Sequence, residues 1–94
     1  MILNQENQEK CRKLLDRYGY RPQLMMLIEE CSELIKAVCK MFRNGTCASA
    51  PSENFLEEMA DVAVMFEQAC MMFNSTAAEI NKRAKEKLDK KVSG

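Results

Sequence analysis

The chain has 94 residues, of which 47% are hydrophobic and 30% are charged, and its 14 basic and 14 acidic residues give a formal net charge of zero. This length and balance predict a single globular domain over residues 1–94 and exclude collagen-like, low-complexity and disordered chains. A net charge of zero gives no support for binding to nucleic acid or to an anionic membrane. No apolar run reaches the ~18 residues of a membrane span, and the charged N-terminus lacks the apolar core of a signal peptide. We therefore expect a cytoplasmic protein.

Histidine is absent from the sequence, and its five cysteines include no CxxC pair. The missing histidine excludes His-based general acid–base catalysis and Ser-His or Cys-His nucleophile pairs. The odd number of cysteines, most of them in helical patterns, indicates small buried hydrophobic residues in a reducing compartment, with a zinc site as the alternative. Any chemistry must therefore use carboxylates, amines, hydroxyls or a metal.

The first half of the chain predicts two helices joined by a tight turn. A short helix covers residues 4–17, and a long second helix over residues 22–42 begins with Pro22, which suits a first helical turn. Apolar residues recur through the second segment at the i, i+3, i+4, i+7 spacing of an amphipathic helix. Gly45 is predicted to cap this helix in the left-handed conformation, before a loop over residues 47–51.

The second half predicts two further helices. Ser52 is the expected N-cap of a long third helix that ends near Phe73. Ser75 or Thr76 is the expected cap of a fourth helix over residues 77–92, and Thr76 with Glu79 three residues later matches a capping box. Because no segment alternates with the period of a strand, the sequence predicts an all-α, four-helix bundle-type protomer, with two long helices and shorter N- and C-terminal helices.

Each long helix carries a pair of acidic residues at i, i+3 beside its apolar stripe. Glu30 and Glu33 lie on one shoulder of the second helix, and Glu58 and Asp61 lie on the corresponding shoulder of the third. Two such pairs on neighbouring helices can converge, and a divalent cation would then relieve the repulsion among the carboxylates. Mg²⁺ accepts oxygen ligands and keeps waters that phosphate oxygens replace, so a site of carboxylates alone favours phosphoryl chemistry. Solvated helix faces also carry this spacing, so spacing alone leaves both interpretations open.

The two acidic segments, EECSE at residues 29–33 and EEMAD at residues 57–61, resemble the EExxE…ExxD signature of MazG-like all-α nucleoside triphosphate pyrophosphohydrolases. The 24 residues between Glu33 and Glu58 are within the range that is usual for this family. The Tyr18-Gly19 pair and Gln23 also resemble the segment that leads into the family's first acidic helix. The similarity covers most of the chain, roughly residues 14–88.

The resemblance implies a Mg²⁺-dependent hydrolase, with Mn²⁺ as a substitute ion, that cleaves a nucleoside triphosphate into the monophosphate and pyrophosphate. It implies that Glu29 binds a second metal or orients the attacking water and that Glu57 is the corresponding partner of the third helix. The family's metal ligands match the four paired acids Glu30, Glu33, Glu58 and Asp61. The family's phosphate-binding residues lie in the fourth helix, where the register is open among Asn81, Lys82, Lys85 and Lys87, and a solvated basic face explains them equally well.

The third helix also carries apolar residues outside its main stripe, namely Ala60, Val64, Met65 and Met72. Three other short helices cannot cover all of these positions, so we expect a homodimer or homotetramer, as the family resemblance also implies. The alternative function is a non-catalytic helical interaction module that keeps the fold. A nucleic-acid-binding module is disfavoured, because the net charge is zero and no aromatic residues lie among the lysines of the fourth helix.

Overall fold

A computed structural model describes residues 2–43, 45 and 51–94, and over these residues it contains four α-helices and no strand. The helices are α1 (Gln5–Tyr18), α2 (Tyr20–Arg43), α3 (Glu53–Met72) and α4 (Thr76–Ser93). The predicted all-α class with four helices is therefore confirmed. Of the predicted loop over residues 47–51, all but Pro51 lies outside the described residues.

Local side-chain chemistry explains where three of the helix ends fall. The Asn4 side chain accepts a hydrogen bond of 2.9 Å from the backbone N–H of Asn7 at the start of α1. The Ser52 hydroxyl accepts one of 3.1 Å from the N–H of Phe55, which confirms Ser52 as the N-cap of α3. Gly45 has a φ of +65° just beyond the end of α2, which confirms the left-handed conformation predicted there.

A single residue, Gly19, separates α1 from α2. Its φ of +84° is a conformation that residues with a side chain rarely adopt, so glycine permits the abrupt change of direction. Because the turn is this short, α2 begins at Tyr20, two residues before Pro22. The Tyr20 ring then packs edge-on against Phe73 at a centroid distance of 6.0 Å, which joins the start of α2 to the end of α3.

The start of α4 agrees with one of the two predicted caps but not with the predicted capping box. Its N-cap is Ser75, with a φ of +67°, and no side-chain capping bond forms there among the described residues. The predicted capping box of Thr76 and Glu79 is wrong, because the Thr76 hydroxyl instead donates to the carbonyl of Phe73 and Glu79 pairs with Arg83. This end therefore lacks a stabilisation that is typically worth about 1 kcal/mol.

The core is built by α1, α2 and α3, since α2 packs most extensively on α3 and α1 contacts both. Among the described helices, α4 contacts α3 alone, and none of its residues is buried. The buried apolar residues are Cys11, Leu15, Ala37, Met65 and Met72. The fourth helix thus extends from a three-helix core.

The core lies on a different face of the two long helices from the predicted stripe. Met65 and Met72, expected outside the main stripe of α3, are buried, whereas Phe66 and Phe73 of that stripe are exposed. Three apolar positions of α2 are likewise turned to solvent, namely Ile28, Ile35 and Phe42, at 72%, 64% and 67% exposure. The reason is that α2 and α3 pack through the faces that carry the acidic residues, so the described residues leave much of each bulky stripe exposed.

The chain is also more extended than a compact domain of its mass. Its radius of gyration is 15.5 Å, against about 12 Å for a compact chain of this length. Its accessible surface is 7317 Å², whereas a monomer of 10.8 kDa typically exposes roughly 5,500 Å². Within the described residues, no helix has the length and apolar character needed to cross a membrane.

Candidate metal centre

Three carboxylates from the two long helices meet where α2 faces α3. Glu58 and Asp61 project from adjacent turns of α3, because residues three apart share one side of a helix, and Glu30 of α2 lies opposite them. One oxygen from each of the three lies within 4.8 Å of the other two. Glu30 and Glu58 are half-buried and Asp61 is exposed, so the group is accessible from solvent. The structure thus brings together three of the four acids that the motif singles out as ligands.

The pKa of Glu30 is raised above its ordinary value of 4.5. The largest cause is the partial loss of solvation, followed by repulsion from Asp61, Glu58 and Glu29. A hydrogen bond from the protonated Glu30 carboxyl to Asp61 acts in the same direction, because it favours the neutral form. Glu30 therefore lies in a negative potential that positive charge would relieve.

The pKa of Glu58 is raised for similar reasons, which bring in the remaining acids of the motifs. Loss of solvation is again the largest cause, and repulsion from Asp61, Glu33 and Glu57 follows. Glu33 of α2 is thus close enough to act on Glu58 of α3, although it is not one of the three carboxylates in mutual contact. The motif acids form one electrostatic cluster with a tighter centre at Glu30, Glu58 and Asp61.

The size and chemistry of this centre fit a hard divalent cation. Octahedral Mg²⁺ binds oxygen at 2.0–2.1 Å, so its ligand atoms lie roughly 3 to 4 Å from one another. Carboxylate oxygens within 4.8 Å need to close by at most about 1–2 Å to reach this geometry, which rotation of side chains that are not buried allows. Carboxylates suit Mg²⁺ or Mn²⁺, and no thiol belongs to the group to favour zinc. Three protein ligands would leave positions for water and phosphate oxygens.

Lys36 is a basic residue at the edge of this cluster that the sequence analysis did not single out. Its ammonium lies 3.5 Å from a carboxylate oxygen of Glu33, one helical turn earlier on α2. Both side chains are substantially exposed, so the pair itself contributes little to stability. The sequence feature that could have identified Lys36 is its i, i+3 spacing from Glu33, which places its positive charge on the acidic side of α2.

The predicted phosphate-binding residues of α4 are not brought to the acidic centre within one chain. Asn81 donates to the carbonyl of Ala77, and Lys85 forms an ion pair of 2.6 Å with Asp89, both inside α4. Lys82 and Lys87 are exposed on the same helix. Among the described residues, the groups that shift the pKa of Glu30 and Glu58 are all acidic, so no basic side chain neutralises the centre.

The sequence analysis also missed two polar residues that α3 buries among its apolar positions. Glu67 is 5% exposed and Gln68 is fully buried, and within the described residues one oxygen of Glu67 and both amide atoms of Gln68 lack a hydrogen-bond partner. Glu67 also raises the pKa values of Cys11 and Cys70, after the larger effect of burial on each thiol. Both polar residues fall inside an apolar run, so the pattern gave no signal that would separate them from solvated helix positions.

Comparison with known proteins adds no relative, because no family model, no curated protein and no solved structure matches the chain. The resemblance to MazG-like enzymes therefore depends on the two acidic segments, and the comparisons neither support it nor oppose it.

Proposed function

We propose that the chain is a Mg²⁺-dependent nucleoside triphosphate pyrophosphohydrolase, which cleaves the α–β bond of a nucleoside or deoxynucleoside triphosphate to give the monophosphate and pyrophosphate. The observation that carries this proposal is the convergence of Glu30, Glu58 and Asp61 within 4.8 Å. Two of these carboxylates have raised pKa values, because they are partly removed from solvent and because their neighbours are acidic. A bound cation relieves the repulsion between these acids.

In this proposal Glu30, Glu58 and Asp61 hold Mg²⁺ or Mn²⁺, and Glu33 completes the ligand set from the same cluster. When bound, the cation polarises the phosphate and offsets the charge that develops during cleavage. Glu29 and Glu57 precede the ligands on each helix and orient the attacking water, since carboxylates next to the cluster can accept its proton. None of these six side chains is buried, so a triphosphate can approach them from solvent.

Phosphate binding requires cations beyond the metal, because a triphosphate carries several negative charges. Lys36 is suited to this role, since it already lies 3.5 Å from Glu33 and its side chain is 74% exposed. Asn81, Lys82, Lys85 and Lys87 remain candidates on α4. In a single chain α4 contacts α3 alone among the described helices, so these side chains would have to reach the substrate from a second copy of the chain.

A second copy is also what the exposed surface supports. The chain exposes about 1,800 Å² more than a compact monomer of its mass, and two chains hiding this excess would bury an area in the range of obligate homodimers. A stripe of three large apolar residues runs along the outer face of α2 with a spacing of seven: Ile28, Ile35 and Phe42. We therefore propose a homodimer or higher oligomer in which this outer stripe of α2 is covered by another copy.

The decisive experiment measures pyrophosphate release from a panel of ribo- and deoxynucleoside triphosphates, with Mg²⁺ and with a chelator. We expect Mg²⁺-dependent release that Asp61→Asn abolishes, while the matched control Glu53→Gln, an exposed acid in the first turn of α3, retains it. A chain that stays folded but releases no pyrophosphate with any nucleotide would contradict the proposal and leave the non-catalytic interaction module.

A further inference from the structure

Away from the acidic centre, the N-terminal segment and α3 enclose an apolar pocket with a carboxylate in its lining. A cavity of about 120 Å³ is lined by Ile2, Leu3, Ala63, Phe66 and Glu67. It adjoins a larger apolar cavity of about 350 Å³, which shares Ile2, Leu3, Ala63 and Phe66 and extends along α3 to Met59. In this pocket, Glu67 is the one ionisable residue among these lining residues.

The Glu67 side chain is buried, and one of its carboxylate oxygens has no hydrogen-bond donor among the described residues. Its side chain is 5% exposed, and its Oε1 atom has no hydrogen-bond partner among them. A carboxylate removed from water is strongly unfavourable unless it is paired and hydrogen-bonded. The thiol of Cys11, whose pKa Glu67 raises after the larger effect of burial, is directed to the carbonyl of Val64 at 3.8 Å. Among the described residues this oxygen is without a donor, and a ligand in the adjoining pocket would supply one.

The walls of the pocket define the rest of that ligand. An apolar cavity of roughly 150 Å³ is large enough to hold a benzene ring, so the two adjoining cavities can take an aromatic or branched alkyl group. Phe66 and Met59 offer a ring face and a polarisable thioether to such a group. An acidic residue in the lining disfavours anions, so this pocket does not suit the phosphates of a nucleotide.

We propose that this pocket is a binding site for a small organic monocation, a primary ammonium group carried on an apolar body, whose N–H groups donate to Glu67. The ammonium pairs with the buried carboxylate, and the apolar body packs against Phe66 and Ala63. The site shares no residue with the acidic centre. The inference therefore goes beyond the proposed hydrolase, and either one can fail without the other.

Binding is tested on the full chain by NMR titration with benzylammonium and with benzyl alcohol, its neutral counterpart of the same shape. A charge-assisted hydrogen bond to a buried carboxylate predicts that the ammonium binds about tenfold or more tightly than the alcohol. The Glu67→Gln variant keeps the volume but removes the charge, so it should abolish this preference. The control Glu86→Gln, an exposed acid of α4, should retain it.

A second variant keeps the test decisive if Glu67→Gln does not fold. Ala63→Leu fills the space shared by both cavities and should weaken both probes while Glu67 remains in place. The proposal is overturned if the two probes bind the parent equally, if neither binds at millimolar concentration, or if Ala63→Leu leaves ammonium binding unchanged. It is also overturned if a folded Glu67→Gln variant still prefers the ammonium.

Discussion

Replacing Ile35 by lysine tests whether the outer stripe of α2 is covered by a second copy. Ile35 is 64% exposed, so a polar substitution leaves the core of the single chain undisturbed. Full burial of an isoleucine side chain is worth about 1.5–3 kcal/mol. Covering the exposed two thirds of Ile35 in an interface therefore contributes roughly 1–2 kcal/mol per chain.

Twofold symmetry doubles this effect, because each residue of an isologous interface is present twice. We therefore expect Ile35→Lys to weaken dimerisation by roughly 2–4 kcal/mol, which raises the dissociation constant about 30- to 900-fold. Sedimentation equilibrium over a range of protein concentrations measures this change, and circular dichroism at the same concentrations reports whether the helices persist.

The matched control is Gln5→Lys, which adds the same charge to the exposed first turn of α1, where a lysine can still pair with Glu9. This variant should associate like the parent chain. The reasoning is refuted if the parent is a stable monomer at micromolar concentration or if Ile35→Lys associates as tightly as the parent. Equal weakening by both variants would show a general charge effect and would also refute the assignment of the α2 stripe.

Three further predictions concern the acidic centre and one helix end. If Mg²⁺ binds the folded chain but not the unfolded chain, a concentration of ten times its dissociation constant stabilises the fold by about 1.4 kcal/mol. This raises Tm by roughly 6–11 °C. Glu58→Gln should remove most of this shift in a thermal melt, and an unchanged shift would contradict the site. Because the pKa values of Glu30 and Glu58 are raised above 4.5 in the folded chain, the native state binds more protons in the window just above that value. Metal-free stability should therefore fall as pH rises through this window and the fall should shrink with Mg²⁺ present, as urea melts at several pH values would show, whereas a rise would refute the electrostatic account. Ser52→Ala removes the cap of α3 and should cost about 1 kcal/mol in a urea melt, whereas no loss would show that the bond of 3.1 Å to Phe55 does not contribute.

The helices were predictable because local chemistry determines them. The amphipathic spacing, the Ser52 cap and the glycine at position 45 each act within a few residues. The helices, the cap and the left-handed glycine are confirmed, although the predicted apolar stripes are not the buried faces. The prediction that failed is the capping box at the start of α4. There Ser75 adopts the left-handed conformation, and the Thr76 hydroxyl donates to the carbonyl of Phe73. Competing local hydrogen bonds of this kind are not distinguishable from a capping box by residue type alone.

The face through which each helix packs was not predictable from its own pattern. Both long helices are apolar over more than one face, so a helical wheel could not tell which apolar residues meet another helix of the same chain. Met65 was expected outside the main stripe and is buried, whereas Phe66, one residue later, is exposed. The acidic centre was nevertheless anticipated for Glu30, Glu58 and Asp61. The i, i+3 spacing puts Glu58 and Asp61 on one side of α3, and Glu30 meets them because α2 and α3 pack through their acidic sides.

The acidic centre and the uncovered stripes follow from the same arrangement of α2 and α3. The inner face of the pair carries Glu30, Glu58 and Asp61 in mutual repulsion, whereas the outer face of α2 exposes Ile28 and Ile35. For an isolated, metal-free monomer this arrangement is unfavourable. Like charges repel where the helices meet, and large apolar side chains face water. Both costs disappear together if a cation lies among the carboxylates and a second chain covers the stripe. We therefore expect metal binding and association to support each other where a second copy contributes to the site. In that case, Mg²⁺ should stabilise the associated parent chain more than the dissociated Ile35→Lys variant.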